Sequence, residues 1–222
     1  MTIIAEIGIN HLGNMGLALR MIKEAKDAGA DLVKSQLYNA EDDKDKLHYQ
    51  YSKQAELNYD QAKHLFDYAA DMGIEMFFSV FGVKYVEWCE KIGVKRYKIA
   101  CGMRDKDVWQ AISRTGKRAI VSYNTAGTFP YGILATMIYC VPEYPATFSM
   151  LDFEHNDVRF NGFSDHTIGL DAAKIALARG AQIIEKHFIL DRNSPSPDAP
   201  WSMTPDELRE LKRWETVCKE VL

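Results

Sequence analysis

The sequence of 222 residues predicts a (β/α)8 TIM barrel, with one compact domain spanning residues 1–222. Short apolar segments alternate with segments of helical periodicity, as expected for buried parallel strands covered by helices. Polar residues recur where the apolar segments end, and the carboxyl ends of barrel strands are the usual place for a site. An open doubly wound sheet is the alternative, but no GxGxxG turn follows the first apolar segment.

The first half of the chain contains four strand–helix units. Glycines such as Gly29 and Gly73 end the helices, and Asp105 is placed to cap the fourth. The polar stretch 39–58 exceeds the usual connection length, which predicts a lid or a mobile excursion. The predicted strands are residues 3–8, 31–36, 75–80 and 96–100, and the predicted helices are residues 16–28, 59–72, 84–91 and 105–115.

The second half of the chain also alternates strands and helices, but two of its helices are predicted to be short. Residues 125–134 contain two glycines and a proline, too little for a normal covering helix, and residues 148–157 form at most a short one. The sequence therefore predicts shortened helices after strands five and six. The last helix has a clear start in Thr204-Pro205-Asp206-Glu207. The predicted strands are residues 118–122, 136–141, a segment ending at Asp165-His166, and 183–187, and the predicted helices are residues 170–179 and 204–221.

Composition excludes several classes of protein. The formal net charge is −4 with both signs interspersed, so no basic face for nucleic acid is indicated. There is no apolar run of about 18 residues that would predict a membrane span. The chain starts directly in a strand, which favours a cytoplasmic protein without a leader. The four cysteines lack CxxC spacing and are read as reduced thiols rather than as a disulfide framework.

Two histidines end consecutive predicted strands. His166 closes strand seven and His187 closes strand eight, so the right-handed connection between the strands brings both rings to one edge. With a nearby carboxylate, the pair suits Mn²⁺, Zn²⁺ or Fe²⁺. His11 lies in a turn and is a weaker third candidate, which could simply form a hydrogen bond there. The remaining three, His48, His64 and His155, are read as surface residues.

Two lysines also stand at the ends of apolar strands. Lys34 and Lys98 must face water or an anion, since burial of an unpaired ammonium group is costly. With strand-end serines they form a natural cradle for a phosphate or carboxylate. Any one of these residues alone is more often a satisfied core polar group. The other strand-end groups are Glu6, Gln36, Ser79, Ser122, Tyr144, Ser164 and Glu185.

The sequence resembles the N-acetylneuraminate (sialic acid) synthase family, with its legionaminate, pseudaminate and spore-coat relatives. The resemblance covers nearly the whole chain, and it implies a barrel domain without the family's C-terminal antifreeze-like domain. The matching segments are AEIGINHLGN at 5–14, AGADLVKSQ at 28–36, YKIACG at 97–102, EYPA at 143–146, GFSDHTIGLDAA at 162–173 and IIEKHFILDRNSPSPD at 183–198.

The resemblance implies condensation of phosphoenolpyruvate with an amino-sugar aldehyde similar to N-acetylmannosamine, giving a nonulosonic (sialic) acid and phosphate. It implies a divalent metal, typically Mn²⁺, on His166 and His187, and a possible homodimer. Glu6, Lys34, Glu185 and Asp198 are the implied catalytic residues. The implied substrate-binding residues are Gln36, Lys98, Ser122, Tyr144, Ser164 and Lys186.

The chain also departs from the family pattern. Cys101 and Met103 stand where the family has serine and glutamate, and Pro142 replaces a polar residue. These departures keep two other functions open. One is an aldolase or lyase acting on a related keto acid, and the other is a barrel that binds a sugar or a partner without turnover.

Overall fold

A computed structural model describes residues 1–45, 47–124, 132–153 and 160–222 of the chain. Eight parallel strands pair in sequence order and close into a barrel, β1 next to β8, which confirms the predicted (β/α)8 fold. The strands are β1 (Thr2–Glu6), β2 (Leu32–Leu37), β3 (Glu75–Val80), β4 (Arg96–Ile99), β5 (Arg118–Tyr123), β6 (Leu134–Cys140), β7 (Phe160–Asp165) and β8 (Ile183–His187).

The described helices form the outer layer of the barrel. Their starts follow the expected chemistry: the Asp105 carboxylate accepts from the N–H groups of Asp107 and Val108, and Thr204 and Glu207 form a capping box. The helices are α1 (Met15–Asp27), α2 (Tyr49–Ala55), α3 (Tyr59–Asp71), α4 (Val83–Ile92), α5 (Lys106–Thr115), α6 (Asp171–Ala178) and α7 (Pro205–Val221).

The connections after β2, β5 and β6 differ from those of the other units. The stretch 39–58, predicted as a long polar loop that is a lid or a mobile excursion, contains a 3-10 turn and helix α2. After β6 the described residues contain only a 3-10 turn, Phe148–Met150, in agreement with a shortened helix. Most of the β5–β6 connection, residues 125–131, and residues 154–159 lie outside the described part of the chain.

The interior of the barrel consists of an apolar layer below a polar one. Ile4, Leu32, Phe77, Ile120 and Ile138 form a buried cluster inside the barrel. Side chains alternate between the two faces of a strand, so the residues two positions further along also point inward. These residues, among them Glu6, Lys34 and Ser79, are polar and buried. The apolar layer therefore closes the barrel and supports a polar floor at the carboxyl ends of its strands.

Among the described residues, no helix combines the length and the apolar character that crossing a bilayer requires. The four cysteines are all free and buried in the structure.

Candidate active site

A cavity of about 530 Å³ opens at the carboxyl ends of the strands. Its volume lies within the range of small-molecule sites. Most of the residues selected from the sequence line it, although they come from six different strands and the loops that follow them. These residues are Lys34, Gln36, Lys98, Ser122, Tyr144, Ser164, His166, Glu185, His187 and Asp198.

The floor of the cavity is a cluster of buried opposite charges. Lys34 forms an ion pair with Glu6 and lies 3.6 Å from Glu185, and its Nζ donates to Ser79 Oγ at 2.8 Å. Lys98 lies 3.5 Å from Glu185 and donates to Ser122 Oγ at 2.7 Å. Two ammonium groups and two carboxylates therefore balance each other in this part of the site.

The two lysines differ in how well their charge is compensated. Burial alone would lower the pKa of Lys34, but the Glu185 and Glu6 carboxylates outweigh it and raise the pKa. Burial lowers the pKa of Lys98, which has only Glu185 close by and is repelled by Lys34. A bound anion would therefore stabilise the charged form of Lys98 more than that of Lys34.

Glu185 is the shared partner of both lysines. Burial alone would raise its pKa, but Lys34, Lys98 and a 3.1 Å hydrogen bond from Ser164 Oγ lower the pKa to about 2. The carboxylate therefore stays ionised at neutral pH. It can accept a proton there, but it has none to donate.

The histidine pair lies beside this cluster. The ring centroids of His166 and His187 are 5.7 Å apart, and His187 Nδ1 lies 3.0 Å from Asp198 Oδ2. His166 Nδ1 is 2.9 Å from the Val141 carbonyl oxygen. A carbonyl can only accept a hydrogen bond, so Nδ1 carries the proton and the lone pair of the neutral ring is on Nε2.

The two rings differ in their protonation. Burial and the charge of His187 lower the pKa of His166 to about 3, so this ring is neutral and able to bind a metal. Burial alone would lower the pKa of His187, but the Asp198 carboxylate outweighs it and raises the pKa. A histidine held by a carboxylate is a common metal-ligand arrangement. Among the described residues, no group of three or more histidine, cysteine or carboxylate side chains is placed to hold a metal ion.

One wall of the cavity is aromatic. The Tyr144 ring lies 4.2 Å from the ring of His166 and 5.8 Å from that of Trp201. Three other polar groups converge at Gly8. A Cβ atom there would lie 3.0 Å from Glu6 Oε1, 3.1 Å from Gln36 Nε2 and 3.6 Å from Asp198 Oδ2. Gly8 thus allows these groups to approach one another closely.

The sequence profile of the NeuB family matches residues 21–129 and 133–221 of the chain. The chain belongs to the NeuB family. The N,N'-diacetyllegionaminic acid synthase of Campylobacter jejuni is 31% identical, and the alignment covers 94% of this chain and 73% of that protein. An uncharacterized protein of Methanocaldococcus jannaschii is 33% identical, with 94% and 68% covered. The crystal structure of a sialic acid synthetase from Leptospira borgpetersenii superposes with a TM-score of 0.91 at 30% identity, covering 99% of this chain and 84% of that one.

Two of the predicted site residues of this NeuB barrel do not line the cavity. Glu6 is 1% exposed and lies behind the lining, where it pairs with Lys34 and accepts from the Gly8 N–H. Lys186 points to the other side of β8, because it lies between the inward-facing Glu185 and His187. Its ammonium group donates to Asp165 Oδ2 at 2.9 Å and to the Thr167 carbonyl oxygen at 2.7 Å. The prediction that Lys186 binds substrate is therefore wrong.

We expect Lys186→Met to destabilise the protein by about 3–5 kcal/mol, because it leaves the Asp165 carboxylate buried without its cation. Urea denaturation would measure the change in the free energy of unfolding. Lys63→Met is the matched control, since Lys63 pairs with Asp67 on the exposed face of α3 and should contribute about 0.3–0.5 kcal/mol. Similar losses in the two variants would contradict a structural role for Lys186.

Other residues reach the cavity although the sequence did not select them as site residues. His48 and Ser52 line the cavity from the segment around α2. Tyr38, which directly follows β2, lines it too, and its hydroxyl donates to the Ser52 carbonyl oxygen at 2.8 Å. His48 was read as a surface residue; it is exposed, but it lies at the cavity rim. The unusual length of the polar stretch 39–58 was the feature of the sequence that could have indicated a contribution to the site.

His11 does not reach the cavity. It is fully buried, and its Nδ1 accepts from the Gly13 N–H at 3.2 Å. Burial lowers its pKa to about 4, so the ring is neutral. The hydrogen bond within the turn accounts for the buried position of His11. This histidine is not part of the pair formed by His166 and His187.

Proposed function

We propose that this member of the NeuB family is a sialic-acid-synthase-like transferase that condenses phosphoenolpyruvate with an amino-sugar aldehyde. The expected products are a nonulosonic acid and phosphate, and an open-chain N-acetylmannosamine-like sugar is the proposed acceptor. The observation that carries the proposal is a pair of buried lysines with serine hydroxyls, beside two histidines at one end of the barrel. The legionaminic acid and sialic acid synthases among its relatives support the same reaction class.

Phosphoenolpyruvate would bind between Lys34 and Lys98. Its carboxylate and phosphate oxygens can replace the internal contacts of the two ammonium groups and accept from the hydroxyls of Ser122 and Ser164. Lys98 is the stronger contributor in this assignment, because its charge is the less compensated of the two. Charge that develops on the departing phosphate would be stabilised by the same groups.

We also propose that a divalent metal, Mn²⁺ in the first instance, binds His166 and His187. The donor set fits, since the His166 ring offers Nε2 and the Asp198 carboxylate orients the His187 ring. When bound, such an ion would act as a Lewis acid toward the aldehyde oxygen of the sugar. His166 is held neutral by burial, which keeps this ligand ready for the ion at neutral pH.

The sugar would occupy the side of the cavity near Gly8. Gln36 and Asp198 are close together there. The Gln36 amide can donate to and accept from sugar hydroxyls, the Asp198 carboxylate can accept from them, and Glu6 supports the arrangement from behind. The Tyr144 and Trp201 rings provide an apolar wall for the acyl group or the ring carbons. A substrate held in this place presents its aldehyde carbon to C3 of phosphoenolpyruvate in the lysine cradle.

The reaction balances with water as the third reactant. C3 of phosphoenolpyruvate attacks the aldehyde carbon, and the aldehyde oxygen takes up a proton to become a hydroxyl. Water adds to C2, and the C2–O bond to phosphate breaks to leave the ketone. Of the two protons of the water, one ends on the new hydroxyl and the other leaves with phosphate. Glu185 is ionised, with its pKa lowered to about 2, and lies next to both lysines. We assign it the role of accepting a hydrogen bond from the attacking water and orienting it, since a carboxylate with so low a pKa is a weak base.

Phosphate release from phosphoenolpyruvate, followed with a panel of N-acetylated hexosamines and Mn²⁺, tests the function. We expect sugar-dependent release, and phosphoenolpyruvate labelled with ¹⁸O at the bridging oxygen should transfer the label to phosphate. No release with any sugar, in protein shown by calorimetry to bind Mn²⁺, would contradict the proposal. Binding of pyruvate without phosphoenolpyruvate would instead favour an aldolase. Association as a homodimer belongs to the same proposal and is tested by light scattering.

A further inference from the structure

The rim of the cavity is lined by residues that the proposed reaction does not use. Tyr38, His48 and Ser52 lie there, on α2 and at the end of β2. Lys34, Gln36 and Tyr38 are alternate residues that all line the cavity, so they form a row of about 13 Å from the floor to the rim. An acceptor sugar bound beside Gln36 therefore extends along this row toward α2.

Helix α2 is fixed against the barrel by contacts at its base. The Tyr38 hydroxyl donates to the Ser52 carbonyl oxygen at 2.8 Å, and Ala55 is buried. A Cβ atom at Gly13 would lie 2.2 Å from the Gln54 carbonyl oxygen, so the turn after β1 packs directly against α2. The rim residues therefore have a defined place relative to the floor of the cavity.

The His48 ring has hydrogen-bonding capacity that the fold does not use. Its side chain does not cap α2, and no hydrogen bond or ion pair connects the ring to another residue in the part of the chain that the structure describes. The ring of Tyr51 is 6.4 Å away. A neutral imidazole and the Ser52 hydroxyl can each donate and accept a hydrogen bond, which suits the hydroxyl groups of a sugar.

The charges around the rim do not suit a phosphate group. Among the described residues that line the cavity, the only lysines or arginines are Lys34 and Lys98, and both belong to the floor. The stretch 39–58 contains five carboxylates and three lysines. One of these lysines, Lys53, is already paired with Glu56 at 3.2 Å. A phosphate at the rim would therefore meet an excess of negative charge.

We propose that His48 and Ser52 bind the far end of the acceptor and select a neutral sugar over a sugar phosphate. The inference rests on the proposed function, which places the aldehyde end of the sugar beside phosphoenolpyruvate. The terminal hydroxyl groups then lie at the rim, where they exchange hydrogen bonds with the two side chains. A phosphate in the same place would gain no cation and would be repelled by the neighbouring carboxylates.

Variants of the two rim residues test their roles. In His48→Ala, the dissociation constant of N-acetylmannosamine should rise on the order of fivefold, as expected for one lost hydrogen bond, while the affinity for phosphoenolpyruvate stays unchanged. His48→Asn should recover part of the loss, and His64→Ala on α3 is the matched control. Unchanged sugar affinity in His48→Ala would overturn the proposal. An equal loss of phosphoenolpyruvate affinity would also overturn it, because the effect would then be structural.

An added positive charge tests the selection against phosphate. Ser52→Lys places a cation in the cavity lining, and we expect it to shift the preference toward the 6-phosphate of N-acetylmannosamine on the order of tenfold. Gln50→Lys adds the same charge on the exposed side of α2, outside the cavity lining, and should change the preference little. Equal shifts in the two variants would contradict a phosphate-excluding position at Ser52.

The deciding experiment compares N-acetylmannosamine with its 6-phosphate in the wild-type protein. Binding is measured by saturation-transfer nuclear magnetic resonance, and kcat/KM by phosphate release from phosphoenolpyruvate. We expect the neutral sugar to be favoured on the order of tenfold or more in both measurements. Equal binding of the two sugars, preference for the 6-phosphate, or binding of neither would overturn the inference. Binding is read without turnover, so sugar binding without phosphate release would count against the proposed function alone.

Discussion

Replacement of His187 by alanine is expected to reduce metal-dependent phosphate release on the order of a thousandfold. The variant removes one of the two imidazoles proposed to hold the ion, and a Lewis acid contributes several kcal/mol to the transition state, at about 1.4 kcal/mol for each factor of ten. The loss should fall on kcat, with little change in the affinity for phosphoenolpyruvate, because the lysine cradle remains. Initial rates at saturating Mn²⁺ would measure it.

Metal binding must be measured separately from turnover. Titration of Mn²⁺ by electron paramagnetic resonance should show lost or strongly weakened binding in His187→Ala and in His166→Ala. His64→Ala is the matched control, because His64 is exposed on α3, away from the cavity, and should leave both properties unchanged. Full Mn²⁺ affinity in both cavity variants would contradict the assignment of the ion to this pair.

Lys98→Met is expected to lower kcat/KM for phosphoenolpyruvate on the order of a hundred- to a thousandfold, while the free energy of unfolding stays equal or rises. Removal of one preorganised donor to a developing charge has a cost of this size. Stability behaves differently, because burial lowers the pKa of Lys98. A lowered pKa means that the charged form is less favourable in the folded than in the unfolded state, so methionine removes an unfavourable charge.

Lys34→Met is expected to affect stability differently from Lys98→Met. The pKa of Lys34 is raised by Glu185 and Glu6, so its charge stabilises the folded state at neutral pH and that contribution is lost as pH rises through the raised pKa. We expect this variant to lose turnover and also about 3–5 kcal/mol of stability, since Glu6 remains buried without its partner. Equal stability changes in the two variants would contradict the difference between the lysines.

The lowered pKa of Lys98 also predicts how the affinity for an anion depends on pH. Lys98 must be protonated to hold an anion, so the affinity for phosphoenolpyruvate should fall as pH rises through its lowered pKa, which lies below the ordinary value of 10.5. Calorimetry in buffers of different ionisation enthalpy should detect proton uptake on binding, because the anion raises the pKa again. An affinity that does not change up to pH 10.5 would rule out this role.

The sequence predicted the strands well because their signals are local. The bounds of β3 (Glu75–Val80) and β8 (Ile183–His187) agree with the prediction, since each is a short apolar segment with glycine-containing turns before it. Ten of the selected residues line the cavity, because barrel closure brings the ends of all strands together. Helix α2 was missed, because only Ala55 among its residues is buried and no apolar face marks it.

Other features depend on how strands and loops are placed in space. Lys186 lies between two cavity residues in the sequence and was selected with them. Side chains alternate along β8, so Lys186 lies on the outer face of the strand. The alternation rule could have identified this from the sequence. Cys101 and Cys140 both line the cavity from strands on either side of β5, and no spacing in the sequence predicts that they share it. The same is true of His48, which reaches the rim of the cavity from a helix-containing connection.

The balanced charges on the cavity floor also bear on the kinetics of substrate capture. With Lys34 and Lys98 matched by Glu6 and Glu185, and a chain whose formal net charge is −4, no long-range field draws an anion toward the barrel. Association of a multiply charged ligand should therefore proceed at an ordinary rate. It should change little with ionic strength, unlike capture by a basic funnel. The lysines would act only at short range, once the ligand has exchanged places with the carboxylates that hold them.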